Sequence, residues 1–69
     1  MTFKLKTLIK LRKDNNLSLQ NMADLLKISK TFYWQIENGK RNLNYEMAIR
    51  IALIFNETPD SIFLNDFIH

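Results

Sequence analysis

Cationic side chains are the most abundant groups in this 69-residue sequence that could do chemistry, and they are concentrated towards its start. Nine basic and three acidic residues precede position 42, a net charge of +6, whereas one basic and four acidic residues follow, a net charge of −3. Such a concentration predicts a polyanionic partner, because neutralised phosphates supply most non-specific affinity for nucleic acid. A solvated, lysine-rich helix face gives the same count, so charge alone leaves both interpretations open.

Groups for catalysis or metal binding are few. The sequence has no cysteine, and His69 is its only histidine. It contains no glycine-rich phosphate loop and no two carboxylates at an obvious acid-base spacing. A zinc site needs about four histidine, cysteine or carboxylate ligands. We therefore expect no enzyme activity, no metal and no cofactor.

Length and composition favour a single small domain over residues 1–69, with no room for a small-molecule ligand domain. The longest apolar run, Ile51 to Phe55, falls far short of the roughly 20 residues that cross a bilayer. The N-terminus does not have the pattern of a signal peptide. The absence of cysteine suits a reducing compartment. These features predict a cytoplasmic protein without a membrane segment.

Apolar periodicity predicts five helices and no strand. The first spans about residues 3–14 and ends at Asn15 and Asn16, since asparagine tolerates a left-handed backbone. Ser18 is a suitable N-cap for the second helix, which ends near Lys27. Ser29 offers an N-cap for a third helix over about residues 30–38, closed by Gly39, the only glycine.

The fourth helix is predicted to begin at the N-cap Asn44 and to end at Asn56. Thr58 and Pro59 then have the order of an N-cap and first position of a last short helix that contains Ile62 and Phe63. Residues 64–69 follow no clear helical period, so this tail is either frayed or docked.

The second and third helices flank a turn of a few residues. Ala23 is the small residue that lets two backbones approach. Five apolar residues should form the wedge between the two helices: Met22, Leu26, Ile28, Tyr33 and Ile36. The outer face of the third helix then carries Lys30, Thr31, Trp34 and Gln35.

The stretch LSLQNMADLLKISKTFYWQIENGKRN resembles the helix-turn-helix of the Cro and phage-repressor-like regulators, the XRE family. Its sharpest parts are IENGKRN, the opening Leu17-Ser18, the pair Leu11-Arg12 and the later AIRIALIFNETPDSIF. This resemblance implies an all-α, five-helix, lambda-repressor-like DNA-binding domain with its helix-turn-helix at about residues 18–38. It also implies a dimeric transcriptional regulator whose third helix enters the major groove of double-stranded DNA.

The resemblance also assigns roles to individual residues. Base contacts fall on Ser29, Lys30, Thr31, Trp34 and Gln35. Contacts with the DNA backbone fall on Ser18, Asn38, Lys40, Arg41, Asn42 and Asn44. Arg12 and Glu37 match a partly buried ion pair that ties the first helix to the end of the third. Gln35 suits bidentate pairing with adenine, Lys30 suits guanine acceptors, and the Thr31 methyl suits thymine.

Some positions depart from the pattern of the family. Leu19 stands where a phosphate-binding glutamine is frequent, and Leu43 replaces a frequent proline. Lys27 stands where glycine is frequent, so it must either accept a positive φ or reshape the turn. The third helix is unusually aromatic, with Tyr33 expected to point inward and Trp34 outward.

Each functional role has a structural alternative. Trp34 could serve a protein partner instead of DNA, and Lys40 and Arg41 could be ordinary solvated charges. Ser18, Ser29 and Asn44 are explained first as helix caps. The Arg12–Glu37 pair could instead be exposed, where it would contribute about 0–1 kcal/mol.

These observations favour a sequence-specific, homodimeric repressor or Cro-like switch protein of a phage, mobile element or bacterial chromosome, acting on a pseudo-palindromic operator. A surplus of apolar residues in the last third predicts the dimer interface, formed by Ile54, Ile62, Leu64 and Phe67. The alternative is an interaction module of the same fold, such as an antitoxin that binds its toxin. RNA recognition has little support, since no RNA-binding motif is present.

Overall fold

The computed structural model describes residues 4–64, and all of its regular structure is helical. Four α-helices precede a short π-helical segment: α1 Lys6–Asp14, α2 Leu19–Leu26, α3 Lys30–Glu37, α4 Tyr45–Ile54 and the π-helical segment Asp60–Leu64. No strand occurs within this range. The predicted all-α architecture with five helical segments is therefore confirmed.

Three of the helices begin at the side-chain caps that the sequence predicts. Ser18, Ser29 and Asn44 precede α2, α3 and α4, each with an extended backbone. Each side-chain oxygen accepts a hydrogen bond from the backbone amide three residues later, at 2.9, 3.0 and 2.8 Å respectively. These bonds satisfy amides that lack a partner in the first turn of a helix, which fixes where the helix begins.

The ends of the helices depend on left-handed residues. Asn16, Lys27, Gly39 and Asn56 follow α1, α2, α3 and α4, with φ angles of 57°, 58°, 69° and 55°. Glycine and asparagine adopt this conformation most readily, and three of the four positions carry one of them. Lys27 takes the positive φ without that advantage, so the turn keeps its shape despite the missing glycine.

Two helix predictions differ from the structure. The first helix was expected from about residue 3, but α1 begins at Lys6. Leu5 lies outside it, and its backbone amide donates instead to the carbonyl of Glu37 at 2.9 Å. The last helix is π-helical, a widened turn that apolar periodicity does not reveal. The predicted tail beyond Leu64, including Phe67 and His69, lies outside the described residues.

The core lies where the helices converge, and α2 and α3 contact each other most extensively. The small Ala23 is fully buried, as a close approach between backbones requires. The largest fully buried side chains come from every helical segment: Leu8, Met22, Leu26, Tyr33, Ile36, Ile51 and Ile62. Burial of one such aliphatic side chain contributes about 1.5–3 kcal/mol. Within residues 4–64, no helix has both the length and the apolar character needed to cross a bilayer.

Candidate nucleic-acid interface

The helix α3 separates its side chains into a buried and an exposed face. Tyr33, Ile36 and Glu37 are buried, as a period of 3.6 residues predicts. The opposite face presents four of the predicted base-contacting residues. Lys30, Thr31 and Trp34 are exposed and Gln35 is half-buried. Trp34 has 40% of its surface accessible, which is unusual for so large an apolar side chain.

The turn between α2 and α3 fixes the direction of this face. Lys27 adopts φ 58° and ψ 44°, and the amide of the next residue, Ile28, donates to the Ala23 carbonyl at 3.0 Å. Arg50, on α4, donates from Nη2 to the carbonyl of Leu26 at the end of α2. No local pattern in the sequence indicates this contact, because the two residues are 24 positions apart. It ties the turn to the helix that follows the interface.

The segment after α3 brings two cations to the end of the exposed face. The backbone amide of Lys40 donates to the Gln35 carbonyl at 2.8 Å, which folds the chain back over the last turn of α3. Lys40 and Arg41 are both exposed, and neither forms an ion pair within residues 4–64. Their charges are therefore available to a polyanion at this end of the helix.

Arg41 makes two contacts that its position in the sequence does not indicate. Its guanidinium carbon lies 4.2 Å from the centre of the Phe32 ring, a cation–π contact. Its Nε donates a hydrogen bond to Oε1 of Gln35 at 3.1 Å. These contacts join a residue predicted to bind the DNA backbone to one predicted to read a base.

The remaining predicted backbone-contacting residues retain donors despite their structural roles. Ser18 and Asn44 use side-chain oxygens as caps, which leaves the hydroxyl proton and the amide nitrogen free to donate. Asn38 donates from Nδ2 to the Trp34 carbonyl at 2.9 Å, and its second amide proton remains. Asn42 is exposed. Capping and phosphate binding are thus chemically compatible at these positions.

Behind the exposed face, Arg12 and Glu37 form an ion pair with little access to water. Arg12 Nε lies 2.6 Å from Glu37 Oε2, and Arg12 Nη2 lies 3.3 Å from Oε1. The two side chains are 11% and 3% exposed, so the ion pair is buried and is not a solvent-exposed surface pair. Arg12 Nη1 also donates to the Leu17 carbonyl at 2.9 Å. One guanidinium thereby joins α1, the loop before α2 and the end of α3.

Tyr33 brings a third polar group close to this ion pair. Its hydroxyl is buried and lies beside the Glu37 carboxylate. Burial raises the pKa of the Tyr33 phenol well above its usual range, and the neighbouring Glu37 carboxylate raises that pKa further. The phenol is consequently neutral and structural, and it is not a candidate acid or base near pH 7.

A small open cleft lies beside the exposed face of α3. It has a volume of about 310 Å³ and is lined by Leu19, Lys30, Thr31 and Trp34. Leu19, the leucine at the position where the family often has glutamine, forms its wall on α2. The cleft joins apolar surface to one ammonium group, a combination suited to a partner with both a methyl group and acceptor atoms. No cluster of metal-ligating side chains is found among residues 4–64.

The residues predicted to form a dimer interface have different environments. Leu64 is 49% exposed and Ile54 is half-buried, but Ile62 is fully buried. Ile62 is therefore removed from the predicted interface, because the core of the chain already covers it. Phe67 lies outside the described residues. Leu53, which was not among the predicted interface residues, is 71% exposed near the end of α4.

Comparison with known proteins agrees with this geometry. Residues 6–66 match a family described as a helix-turn-helix domain. A curated relative is the HTH-type transcriptional regulator AnsR of Bacillus subtilis (strain 168), which is 41% identical over 58 residues. That alignment covers 84% of this chain and 50% of the relative, so the chain spans about half the length of the curated protein it matches. The chain belongs to the XRE-type helix-turn-helix family.

Proposed function

We propose that this chain is a cytoplasmic regulator of transcription that binds a specific sequence of double-stranded DNA. The outer face of α3 carries the proposal, since it presents Lys30, Thr31 and Trp34 to solvent beside the cations Lys40 and Arg41. A helix of this width fits the major groove, where base edges display distinct patterns of donors and acceptors. The description of AnsR as a transcriptional regulator supports the proposal.

Recognition of bases is assigned to the start and middle of α3. Lys30 donates to base acceptors, and Thr31 and Trp34 contribute apolar surface for a thymine methyl in the cleft that they share with Leu19. Ser29 and Gln35 complete the set of base-contacting residues. Each good contact of this kind discriminates by about 1–3 kcal/mol against the wrong base.

Register on the DNA is assigned to donors around α3 that bind phosphate. Lys40 and Arg41 supply charge, and neutral donors supply geometry: Ser18, Asn38, Asn42 and Asn44. Contacts of this type position a protein on the duplex without reading its sequence. The buried Arg12–Glu37 pair supports them indirectly, because it holds the end of α3 against α1.

We further infer that the chain acts as a homodimeric repressor or Cro-like switch protein of a phage, mobile element or bacterial chromosome. Leu64 and the partly exposed Ile54 supply apolar surface for an isologous contact, extended by Leu53. Two recognition helices would then meet half-sites about 34 Å apart on a pseudo-palindrome. Sedimentation tests this step, and a monomer at tens of micromolar both with and without DNA would refute it.

The competing function is an interaction module that uses the aromatic part of α3 to bind another protein, as an antitoxin binds its toxin. The exposure of Trp34 is the observation that favours it. Salt distinguishes the two functions, because binding through phosphates weakens steeply as salt rises. A protein interface centred on tryptophan has no such general dependence.

The decisive experiment selects bound sites from a random pool of duplex DNA and then measures affinity for the selected site across a salt series. Trp34, the only tryptophan, reports binding directly through its fluorescence. Lys40→Ala should reduce the slope of log K against log salt by about one unit. Lys10→Ala is the matched control, since Lys10 already pairs with Asp14 at 2.7 Å. Failure to enrich any sequence would refute sequence-specific binding.

A further inference from the structure

Arg41 and Gln35 form one assembly at the end of the exposed face. The guanidinium of Arg41 stacks on Phe32 with 4.2 Å between its central carbon and the ring centre. In this position, Arg41 Nε donates to Gln35 Oε1 at 3.1 Å. Both contacts join Arg41 to residues that precede Gly39, whose positive φ turns the chain back towards α3. Arg41 is thus held at two points instead of being a free surface cation.

The hydrogen bond sets the orientation of the Gln35 amide. Arginine Nε carries one proton and accepts nothing, so its partner on glutamine has to be the carbonyl oxygen. The oxygen therefore faces Arg41, and the NH₂ group is the end that remains available. Within residues 4–64, no hydrogen bond engages this NH₂ group or the terminal nitrogens of Arg41.

The available groups of the assembly are all donors. The amide NH₂ of Gln35 and the terminal N–H groups of Arg41 carry protons, and the one acceptor lies beside a positive charge. Adenine presents one acceptor, N7, and one donor, N6, in the major groove, whereas guanine presents two acceptors, N7 and O6. An adenine amino group that approached Gln35 Oε1 would meet the guanidinium. The donors match guanine.

We propose that Gln35 and Arg41 act as one donor unit that selects guanine over adenine at the base under Gln35. This inference rests on the proposed binding of duplex DNA and replaces the bidentate adenine contact expected for Gln35 alone. Arg41 is then a positioning residue for base recognition as well as a cation near the backbone. Lysine cannot replace it, because an ammonium group lacks the planar fork and stacks poorly on an aromatic ring.

The test compares four variants by selection from a random duplex pool, followed by affinity measurements on selected sites. Gln35→Ala identifies the base under Gln35 as the position where preference is lost. At that position the wild-type chain should prefer guanine over adenine roughly fivefold to 100-fold. Arg41→Ala and Arg41→Lys should both reduce this ratio at least threefold or reverse it towards adenine. Lys40→Ala is the matched control and should leave the ratio unchanged.

The salt series separates positioning from charge. Arg41→Lys should keep the wild-type salt slope while changing base preference, a combination that a simple phosphate contact cannot produce. The inference is overturned if adenine is preferred under Gln35, or if no position responds to Gln35→Ala. It is also overturned if both Arg41 variants keep the guanine-to-adenine ratio within twofold. All of these outcomes occur with DNA bound, whereas absence of any selected site refutes the proposed function itself.

Discussion

Arg12 on α1 reaches the last residue of α3 and places its Nε 2.6 Å from Oε2 of Glu37. The same glutamate accepts a hydrogen bond from the Leu5 amide through its backbone carbonyl. The end of the candidate recognition helix is therefore held to the start of the chain through both side chain and backbone. A shift of this end of α3 would displace every side chain on its exposed face.

Removal of one partner of this pair should destabilise the fold severely. Arg12→Met leaves the Glu37 carboxylate buried without its counterion, at an expected loss of about 3–5 kcal/mol in the free energy of unfolding. That loss is large beside the total of about 3–10 kcal/mol expected for a chain of this length. The double variant Arg12→Met/Glu37→Leu should lose much less than the sum of the single variants, because no buried charge remains. Urea unfolding of the three variants measures the coupling, and strictly additive losses would contradict the importance of the pair.

The buried phenol of Tyr33 should make stability depend on pH in the alkaline range. The pKa of Tyr33 is raised in the folded chain, whereas a tyrosine in the unfolded chain titrates at about pH 10. Above that pH the folded state retains a proton that the unfolded state loses, so stability falls as pH rises, approaching about 1.4 kcal/mol per pH unit. This contribution is fully present below the unfolded pKa and is lost above it.

Tyr33→Phe should remove this contribution to the pH dependence. At pH 7 the phenol is protonated in both the folded and the unfolded state, so this variant should match wild type to within about 1 kcal/mol. Tyr45→Phe serves as control, since Tyr45 is exposed at the start of α4. Denaturant unfolding between pH 7 and 11 compares the two. Equal alkaline losses in wild type and Tyr33→Phe would contradict the assignment.

The left-handed backbone at Lys27 stores strain that glycine would relieve. A residue with a Cβ atom is destabilised by about 1–2 kcal/mol in this conformation. Replacement by glycine removes this cost, but the greater conformational freedom of glycine in the unfolded chain offsets part of the gain in stability. We expect Lys27→Gly to raise stability by about 0.5–1 kcal/mol, or by a few degrees in Tm. Lys27→Ala keeps the Cβ atom and should give no such gain. A melting temperature for Lys27→Gly at or below that of Lys27→Ala would show that the turn is unstrained.

The cleft beside α3 should make binding sensitive to a single methyl group on a base. Replacement of thymine by uracil, one position at a time in a selected DNA site, removes only the C5 methyl. At one position we expect affinity to fall about fourfold, the value of one buried methyl-sized group. Gel-shift or fluorescence titration measures the ratio of affinities for each pair of duplexes.

Two leucines on α2 supply the variants for this experiment. Leu19→Gln removes the apolar wall of the cleft and should abolish discrimination between thymine and uracil. Leu25→Gln changes an exposed leucine outside the cleft on the same helix, and discrimination should persist. If uracil is tolerated at every position by the wild-type chain, the cleft does not receive a thymine methyl.

Local signals in the sequence predicted much of the fold. The N-caps Ser18, Ser29 and Asn44 and the left-handed Gly39 and Asn56 act within a few residues of their position, so their chemistry can be read directly from the chain. The separation of α3 into two faces follows from helical periodicity in the same way. These features need no knowledge of how the helices pack.

Contacts between different structural elements could not be predicted from local sequence signals. The Arg41–Gln35 bond depends on the direction of the chain after Gly39, and the Arg50–Leu26 bond depends on the packing of α4 beside α2. Ile62 was predicted at an interface from the number of apolar residues in the last third of the chain. That number does not show which of these residues are buried in the core. The π-helical segment around Ile62 has only five residues, too few for a period to be recognised in the sequence.

The two faces of α3 have an evolutionary consequence. Tyr33, Ile36 and Glu37 bind the helix to the scaffold, whereas Lys30, Thr31 and Trp34 contribute almost nothing to the core. Mutations on the outer side can therefore accumulate with little penalty in foldability. Homologous proteins with this scaffold can therefore acquire a different binding specificity through substitution of a few solvent-exposed residues.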